Sequence, residues 1–351
     1  MARPPRAPRP AEGAPAEPDL IDNAPAPREA TSLHGHEDAV ARLAASFEGA
    51  APQSILLEGP RGIGKATLAF RLARALAGSV PGTGLDPRLA SDPNAPGSRQ
   101  IAAGTHPGVL HLTRPWDDKQ KRFKTELTVD EVRRIVPFLG ATAAHGGWRI
   151  VIVDAVDDLN LNAANALLKA LEEPPRRGLF VLIAHVSGRV LPTIRSRCRA
   201  VRLRPLPADA VARALTELGA DPSLAKAGQG SVRRALVLAA AGADVVRSAA
   251  RILEPRTLRE ARAQHQLADL AAQRRDDQFA TVLELVLDAA ADRARNGAGR
   301  LPLAALDAYA ELYLAATDAR RRVEVFNLDR KEMMLALTAR LAAADRVAGL
   351  T

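Results

Sequence analysis

Gly59-Pro60-Arg61-Gly62-Ile63-Gly64-Lys65 decides how this chain is read. The apolar run Ser54-Ile55-Leu56-Leu57 precedes it, and the helical pattern Leu68-Ala69-Phe70-Arg71-Leu72-Ala73-Arg74-Ala75-Leu76 follows. Strand, Gly-rich loop, Lys and helix, in that order, form the context in which a P-loop match becomes a candidate site. Backbone N–H groups at a helix N-terminus cradle phosphate oxygens, and the Lys reaches toward the terminal phosphates. A second apolar run, Arg149-Ile150-Val151-Ile152-Val153, ends in Asp154 and reads as a buried strand carrying a carboxylate. An active ATPase of this type normally places Glu after that Asp to polarise water, and here Ala155 follows. The pattern predicts a loop able to hold ATP or ADP and poorly equipped to hydrolyse it.

Two further strand patterns follow, Leu179-Phe180-Val181-Leu182-Ile183-Ala184 and the short Val201-Arg202-Leu203. A shorter one, Val109-Leu110-His111-Leu112, lies between the loop helix and Asp154. Strands alternating with helices predict an α/β domain with a parallel sheet covered on both faces. Arg114 to Lys124 is charged and reads as a hairpin or exposed loop, and Gly78 to Gly104 as irregular. Thr128 with Glu131 three residues later has the capping-box pattern of a helix start. After Pro205-Leu206-Pro207 the strand patterns stop and the chain is helical by periodicity. The expected organisation is a Pro/Ala/Arg-rich disordered tail over 1–28, an α/β domain over 29–207, a small helical lid over 208–242 and a helical domain over 243–351.

Composition bounds the chemistry. The chain has 351 residues, 47% of them hydrophobic and only 3% aromatic, so aliphatic cores and many helices are expected. No apolar run approaches the roughly 18 residues that a membrane span needs, and the N-terminus lacks a secretory core, which predicts a cytoplasmic location. The net charge of +9 suits a phosphate-bearing partner such as DNA, or an Arg-rich solvated surface. Cys198 is the single cysteine, so neither an internal disulfide nor a cysteine-based zinc site can form. The seven His show no metal-ligand spacing, and no metal site is expected.

Several segments then resemble the AAA+ clamp-loader family of bacterial DNA polymerase III. Asn165-Ala166-Leu167-Leu168-Lys169-Ala170-Leu171-Glu172-Glu173-Pro174-Pro175 is similar to the family signature. So is Leu191-Pro192-Thr193-Ile194-Arg195-Ser196-Arg197-Cys198, ending in Ser-Arg-Cys. Gly230-Ser231-Val232-Arg233-Arg234-Ala235-Leu236 resembles the second sensor segment of the family's lid. Gly104-Thr105-His106-Pro107 and Leu127-Thr128-Val129-Asp130-Glu131-Val132-Arg133 look like segments of its delta-prime branch. The likeness covers about 31–240 well and the C-terminal helices in position and type only. It implies a RecA-like AAA+ domain, a lid and an all-α collar that assembles subunits. It also implies gamma/tau and delta subunits, a sliding clamp and primed DNA as partners.

Within that family, four features separate a motor from a brace. Ala66 stands where a Ser or Thr normally ligates Mg²⁺, and Thr67 comes one residue late, turned by about 100° on the helix. Ala155 can neither act as base nor orient water, although Asp157 and Asp158 lie nearby. His185-Val186-Ser187-Gly188, in the first-sensor region, offers no clearly assignable polar residue. The stretch 79–105 has none of the four cysteines that many relatives carry there. Arg197, by contrast, stands where the family places an arginine finger acting on a neighbour's ATP, with Arg195 and Arg199 close by. Gly59, Gly62, Gly64, Lys65, Ala66, Thr67, Asp154 and Arg233 are therefore the candidate nucleotide-binding positions, and Arg197 the candidate catalytic residue in trans. The leading expectation is a non-catalytic clamp-loader subunit. A functional ATPase motor and a stand-alone DNA-binding protein are the alternatives.

Overall fold

A computed structural model describes residues 17–18, 20–21, 24–79, 84–140, 147–175, 177–272, 276–326 and 329–350. The chain divides into two compact units, one up to Leu236 and one from Val237.

Among its described residues the first unit has seven strands: β1 (Ser54–Glu58), β2 (Val109–Leu112), β3 (Trp116–Asp117), β4 (Arg122–Phe123), β5 (Arg149–Asp154), β6 (Gly178–Ala184) and β7 (Arg199–Arg202). Five of them form one parallel sheet in the order β2-β5-β6-β1-β7. The central strands β1 and β6 are buried at every position, which is why they read as unbroken apolar runs. The edge strand β7 is mostly exposed, and its sequence Arg-Ala-Val-Arg is correspondingly polar.

Alternate residues of each strand serve opposite faces, because the side-chain period of a strand is two. Ile55, Leu57, Ile150, Ile152, Val181 and Ile183 pack under α1 (Glu37–Ala45) and α2 (Lys65–Gly78). Leu56, Val151, Val153, Phe180 and Leu182 pack on the other side. There they meet α4 (Val129–Arg133), α5 (Ile135–Gly140), α6 (Leu161–Glu172) and α7 (Pro192–Arg195); α3 (Pro96–Ala102) lies on the α2 side. This is a three-layer α/β domain, and it carries the loop and Asp154 at the carboxyl ends of β1 and β5. Two helices, α8 (Ala208–Glu217) and α9 (Val232–Ala241), follow the last strand.

Several local expectations are refined. The stretch read as irregular contains α3, which starts on Pro96 at its first turn and buries Ile101. Leu85 and Leu89 are also buried in the α2-side core, so apolar side chains brace this stretch. The charged segment is a hairpin of β3 and β4 held by an edge-to-face contact of Trp116 on Phe123. The helix after Thr128 starts where predicted, but Thr128 makes no capping bond and Glu131 pairs with Arg134 instead. The reading of 1–28 as a disordered tail is corrected for its last part: Glu17 and Ala26 are buried, and Arg28 is bonded to Ala102 O. Residues 1–16 lie outside the described residues.

Among the described residues, the elements of the second unit are helices: α10 (Ala243–Ile252), α11 (Pro255–Leu258), α12 (Ala261–Ala272), α13 (Asp276–Gly297), α14 (Leu303–Phe326) and α15 (Arg330–Val347). Leu267, Val282, Val286, Leu312, Met334 and Leu341 are among its buried apolar residues. One charged group is buried with them: Asp345, 1% exposed, accepts from Arg293 Nη1 at 2.7 Å and from Tyr309 Oη at 2.8 Å. No described helix is long and apolar enough to cross a membrane.

Candidate nucleotide site

The loop 59–65 turns sharply from β1 into α2, and its glycines are required by space. A Cβ on Gly59 would lie 2.3 Å from Leu203 O, and one on Gly62 would lie 2.3 Å from Ser231 Oγ and 2.4 Å from Arg233 Cβ. Gly62 also has φ +79°, a region that side chains other than Gly resist. The start of α9 therefore sits directly on the loop. Arg233 N–H donates to Gly62 O at 3.3 Å, which closes the contact.

Beneath this contact is a cavity of about 440 Å³, within the range of small-molecule sites. Gly62, Gly64, Lys65, Ala66, Thr67, Asp154 and Arg233 all line it. Gly59 shapes the loop without lining the cavity. Thr67 reaches the wall although its helical position is offset from that of Ala66.

Lys65 is 3% exposed, and its ammonium donates to the carbonyls of Gly59, at 2.6 Å, and Pro60. Burial pushes its pKa down to about 8, against the opposing pull of the Asp154 and Asp157 carboxylates.

The two acids after Ala155 have separate positions. Asp157 accepts backbone N–H bonds from His185, at 3.0 Å, and Val186, at 3.0 Å, so it ties off the end of β6 and does not line the cavity. Asp158 lines the cavity and pairs with Arg114 at 3.3 Å. His185 was the residue missed from sequence. It lines the cavity with Nε2 3.9 Å from Asp154 Oδ1. Its position one residue past β6 was the available signal.

The three neighbouring arginines also separate. Arg195 Nη2 donates to Glu58 Oε1 at 2.6 Å and to Ser187 O at 2.7 Å. Glu58 is 2% exposed, and Arg202 approaches its other oxygen at 3.3 Å. Arg195 is thus occupied by a buried carboxylate inside the fold. Arg199 is exposed on the edge strand. Arg197 stands at the surface, with Nη1 donating to Thr193 O and Nη2 meeting Glu172 Oε1, each at 3.0 Å. It is not among the described residues lining its own chain's cavity. Cys198 is half-buried, and burial pushes its thiol up to about 11, away from nucleophilic use. Among the described residues no group of three His, Cys, Asp or Glu side chains is placed to hold a metal ion.

Comparison with known proteins bears on the same region. Residues 35–207 match the family described as DNA polymerase III, delta subunit. The chain is 39% identical over 150 residues to the DNA polymerase III subunit delta' of Pseudomonas aeruginosa, covering 41% of this chain and 40% of that protein. It is 35% identical over 167 residues to the subunit delta' of Escherichia coli, covering 47% of each. The DNA polymerase III subunit gamma of Buchnera aphidicola is 31% identical over 151 residues, with 43% of this chain and 38% of that one covered. The chain thus spans less than half the length of these relatives.

Proposed function

We propose that this chain, whose residues 35–207 match the family described as DNA polymerase III, delta subunit, and which is similar to DNA polymerase III delta' subunits over part of its length, is a non-catalytic clamp-loader subunit that braces the assembly and lends an arginine to a neighbour's ATP. The observation carrying this reading is the opposite placement of two sets of residues. The loop and Asp154 face the chain's own cavity beside Ala66 and Ala155, which supply neither a metal ligand nor a base. Arg197 is at the surface, 38% exposed and paired with Glu172, and is not among the described residues lining that cavity. A guanidinium in that role stabilises charge developing on a transferred phosphoryl group and is worth about 10³–10⁵ in rate.

In this reading the loop binds ATP or ADP weakly, because the Gly spacing and Lys65 are retained. The helical unit 243–351 serves as the collar through which subunits associate. The partners are gamma/tau and delta subunits, and through them a sliding clamp and primed DNA. The basic balance of +9 suits that last partner. A motor subunit is the competing reading, and Asp158 on the cavity wall is the one group that favours it.

The test is steady-state ATP hydrolysis by the purified chain, alone and mixed with gamma/tau and delta subunits, for the parent and for Arg197→Ala. The expected result is no turnover alone and a mixture whose rate falls with Arg197→Ala. Lys65-dependent turnover by the chain alone would make it a motor and end this proposal.

A further inference from the structure

Two stretches that lie apart in the sequence meet in space at Arg197. Its backbone is fixed by the fold. α7 is four residues long and starts on Pro192, Ile194 is 1% exposed, and Arg195 is tied to Glu58 Oε1 at 2.6 Å. Arg197 N–H then donates to Ile194 O at 3.1 Å. An Arg side chain is long and rich in rotamers, so a fixed backbone by itself leaves the guanidinium free to sweep.

Two bonds hold it. Nη1 donates to Thr193 O and Nη2 to Glu172 Oε1, each at 3.0 Å. The first acceptor belongs to Arg197's own turn. The second comes from 25 positions away and is the last residue of α6. α6 delivers it there because Leu171 is buried in the same apolar cluster as Ile194, and Pro174 and Pro175 then end the helix. A guanidinium presents five N–H donors in a planar fork. Among the described residues these bonds use two of them, which leaves three for a partner.

Stability does not account for a carboxylate at this place. The last turn of a helix carries negative partial charge and disfavours an acid. Glu172 closes α6, and Glu173 follows it. The side chains of Glu172 and Arg197 are 53% and 38% exposed, and a surface pair of that kind contributes little. What Glu172 supplies is direction: with Thr193 O, it sets the plane of the guanidinium.

We propose that Glu172 is a positioning residue, which holds the guanidinium of Arg197 in the orientation it presents to the phosphates of a neighbour's ATP. The inference rests on the reading of Arg197 as an arginine acting in trans, and adds a second residue to that role. A charged group set in place beforehand needs no reorganisation when the reaction occurs. A misplacement of about 1 Å can cost about 10²-fold in rate. Removing Glu172 takes away one of the two holding bonds, so part of the effect of Arg197 should go with it.

The experiment is steady-state ATP hydrolysis by the full chain mixed with gamma/tau and delta subunits. The chains compared are the parent, Glu172→Gln, Glu172→Ala, Arg197→Ala and the Glu172→Ala/Arg197→Ala double variant. Thermal melts check folding, and gel filtration checks that each variant joins the assembly. The rate that Arg197 supplies is the parent rate less that of Arg197→Ala. Glu172→Ala should lower this Arg197-dependent kcat by about three- to tenfold, with KM for ATP unchanged. Glu172→Gln keeps an oxygen able to accept from Nη2 and should retain most of that rate. In the Arg197→Ala background, Glu172→Ala should have no further effect.

An undiminished Arg197-dependent rate in assembled Glu172→Ala would overturn the proposal. A raised rate would overturn it too, because the carboxylate would then be holding Arg197 back. An equal loss in the Arg197→Ala background, or loss of assembly by both Glu172 variants, would make Glu172 a structural or interface group and also overturn it. If Arg197→Ala leaves the mixture's rate unchanged, the reading of Arg197 fails and this proposal with it. A rate that falls with Arg197→Ala and not with Glu172→Ala sinks the proposal alone, so the two failures are distinguishable.

Discussion

Arg195 and Arg197 are two residues apart, and the structure assigns them opposite physical costs. Replacing Arg195 with Ala removes hydrogen bonds to Glu58 and Ser187 O. Glu58 is 2% exposed and would keep only Arg202, at 3.3 Å, whose side chain is 81% exposed and well solvated. A charge-assisted hydrogen bond contributes about 1.5–3 kcal/mol, and removing one partner of a buried pair costs about 3–5 kcal/mol. Retention of Arg202 moderates this, so Arg195→Ala should destabilise the first unit by about 2–4 kcal/mol. At roughly 2–4 °C per kcal/mol for a unit of this size, Tm should fall by about 4–16 °C. Arg197 and Glu172 have side chains 38% and 53% exposed, and such surface pairs contribute about 0–1 kcal/mol. Arg197→Ala should leave Tm within about 4 °C of the parent. Urea and thermal unfolding followed by circular dichroism measure both variants directly. Equal destabilisation by the two substitutions, or a larger loss for Arg197→Ala, would refute the division into an internal tie and a surface arginine.

Lys65→Met should show a pH-dependent stability difference from the parent. The folded pKa is about 8 and the model-peptide value 10.5, so the unfolded chain binds more protons between them and the parent gains stability as pH rises through that window. Chemical denaturation at pH 7.5 and pH 10.5 should show the difference moving by about 3 kcal/mol in the parent's favour, and no movement would contradict the buried ammonium. Gly62→Ala forces a Cβ against Ser231 and Arg233 at positive φ, and should cost about 1–3 kcal/mol while loosening the start of α9 from the loop; limited proteolysis between the last strand and α9 should be faster, and an unaltered digest would count against direct docking of α9 on the loop. In the second unit, Arg293→Met leaves Asp345 buried with Tyr309 alone and should cost about 3–5 kcal/mol. Asp345→Asn in the same background should recover part of that loss, and a failure to recover would show that the charge is not its source.

Much of this molecule was legible in one dimension because its signals are local. The unbroken apolar runs 54–57, 149–153 and 179–184 mark strands buried on both faces, and only a covered parallel sheet accommodates them. The candidate P-loop is read from adjacent residues, and so is the presence of Ala66 and Ala155 at the positions where a metal ligand and a base would be expected. The resemblance to clamp-loader subunits was carried by short contiguous motifs, and a family model matches over 35–207. α3 escaped notice because its Pro-Gly-Ser start has weak helix propensity, and the burial of Ile101 is a tertiary effect.

What tertiary structure decided are pairings across long separations, for which sequence spacing carries no signal. Arg195 reaches Glu58 across 137 positions, and that contact alone tells the internal arginine from the surface one. Asp157 and Asp158 are chemically identical neighbours, yet the turn after β5 sends one to the backbone of β6 and the other to the cavity wall. Glu17 and Arg28 read as part of a Pro-rich tail, because their partners His111, Arg74 and Ala102 lie far along the chain. A local pattern specifies which element forms; the packing of elements against one another specifies which of two like side chains is buried, and that burial gives each its role.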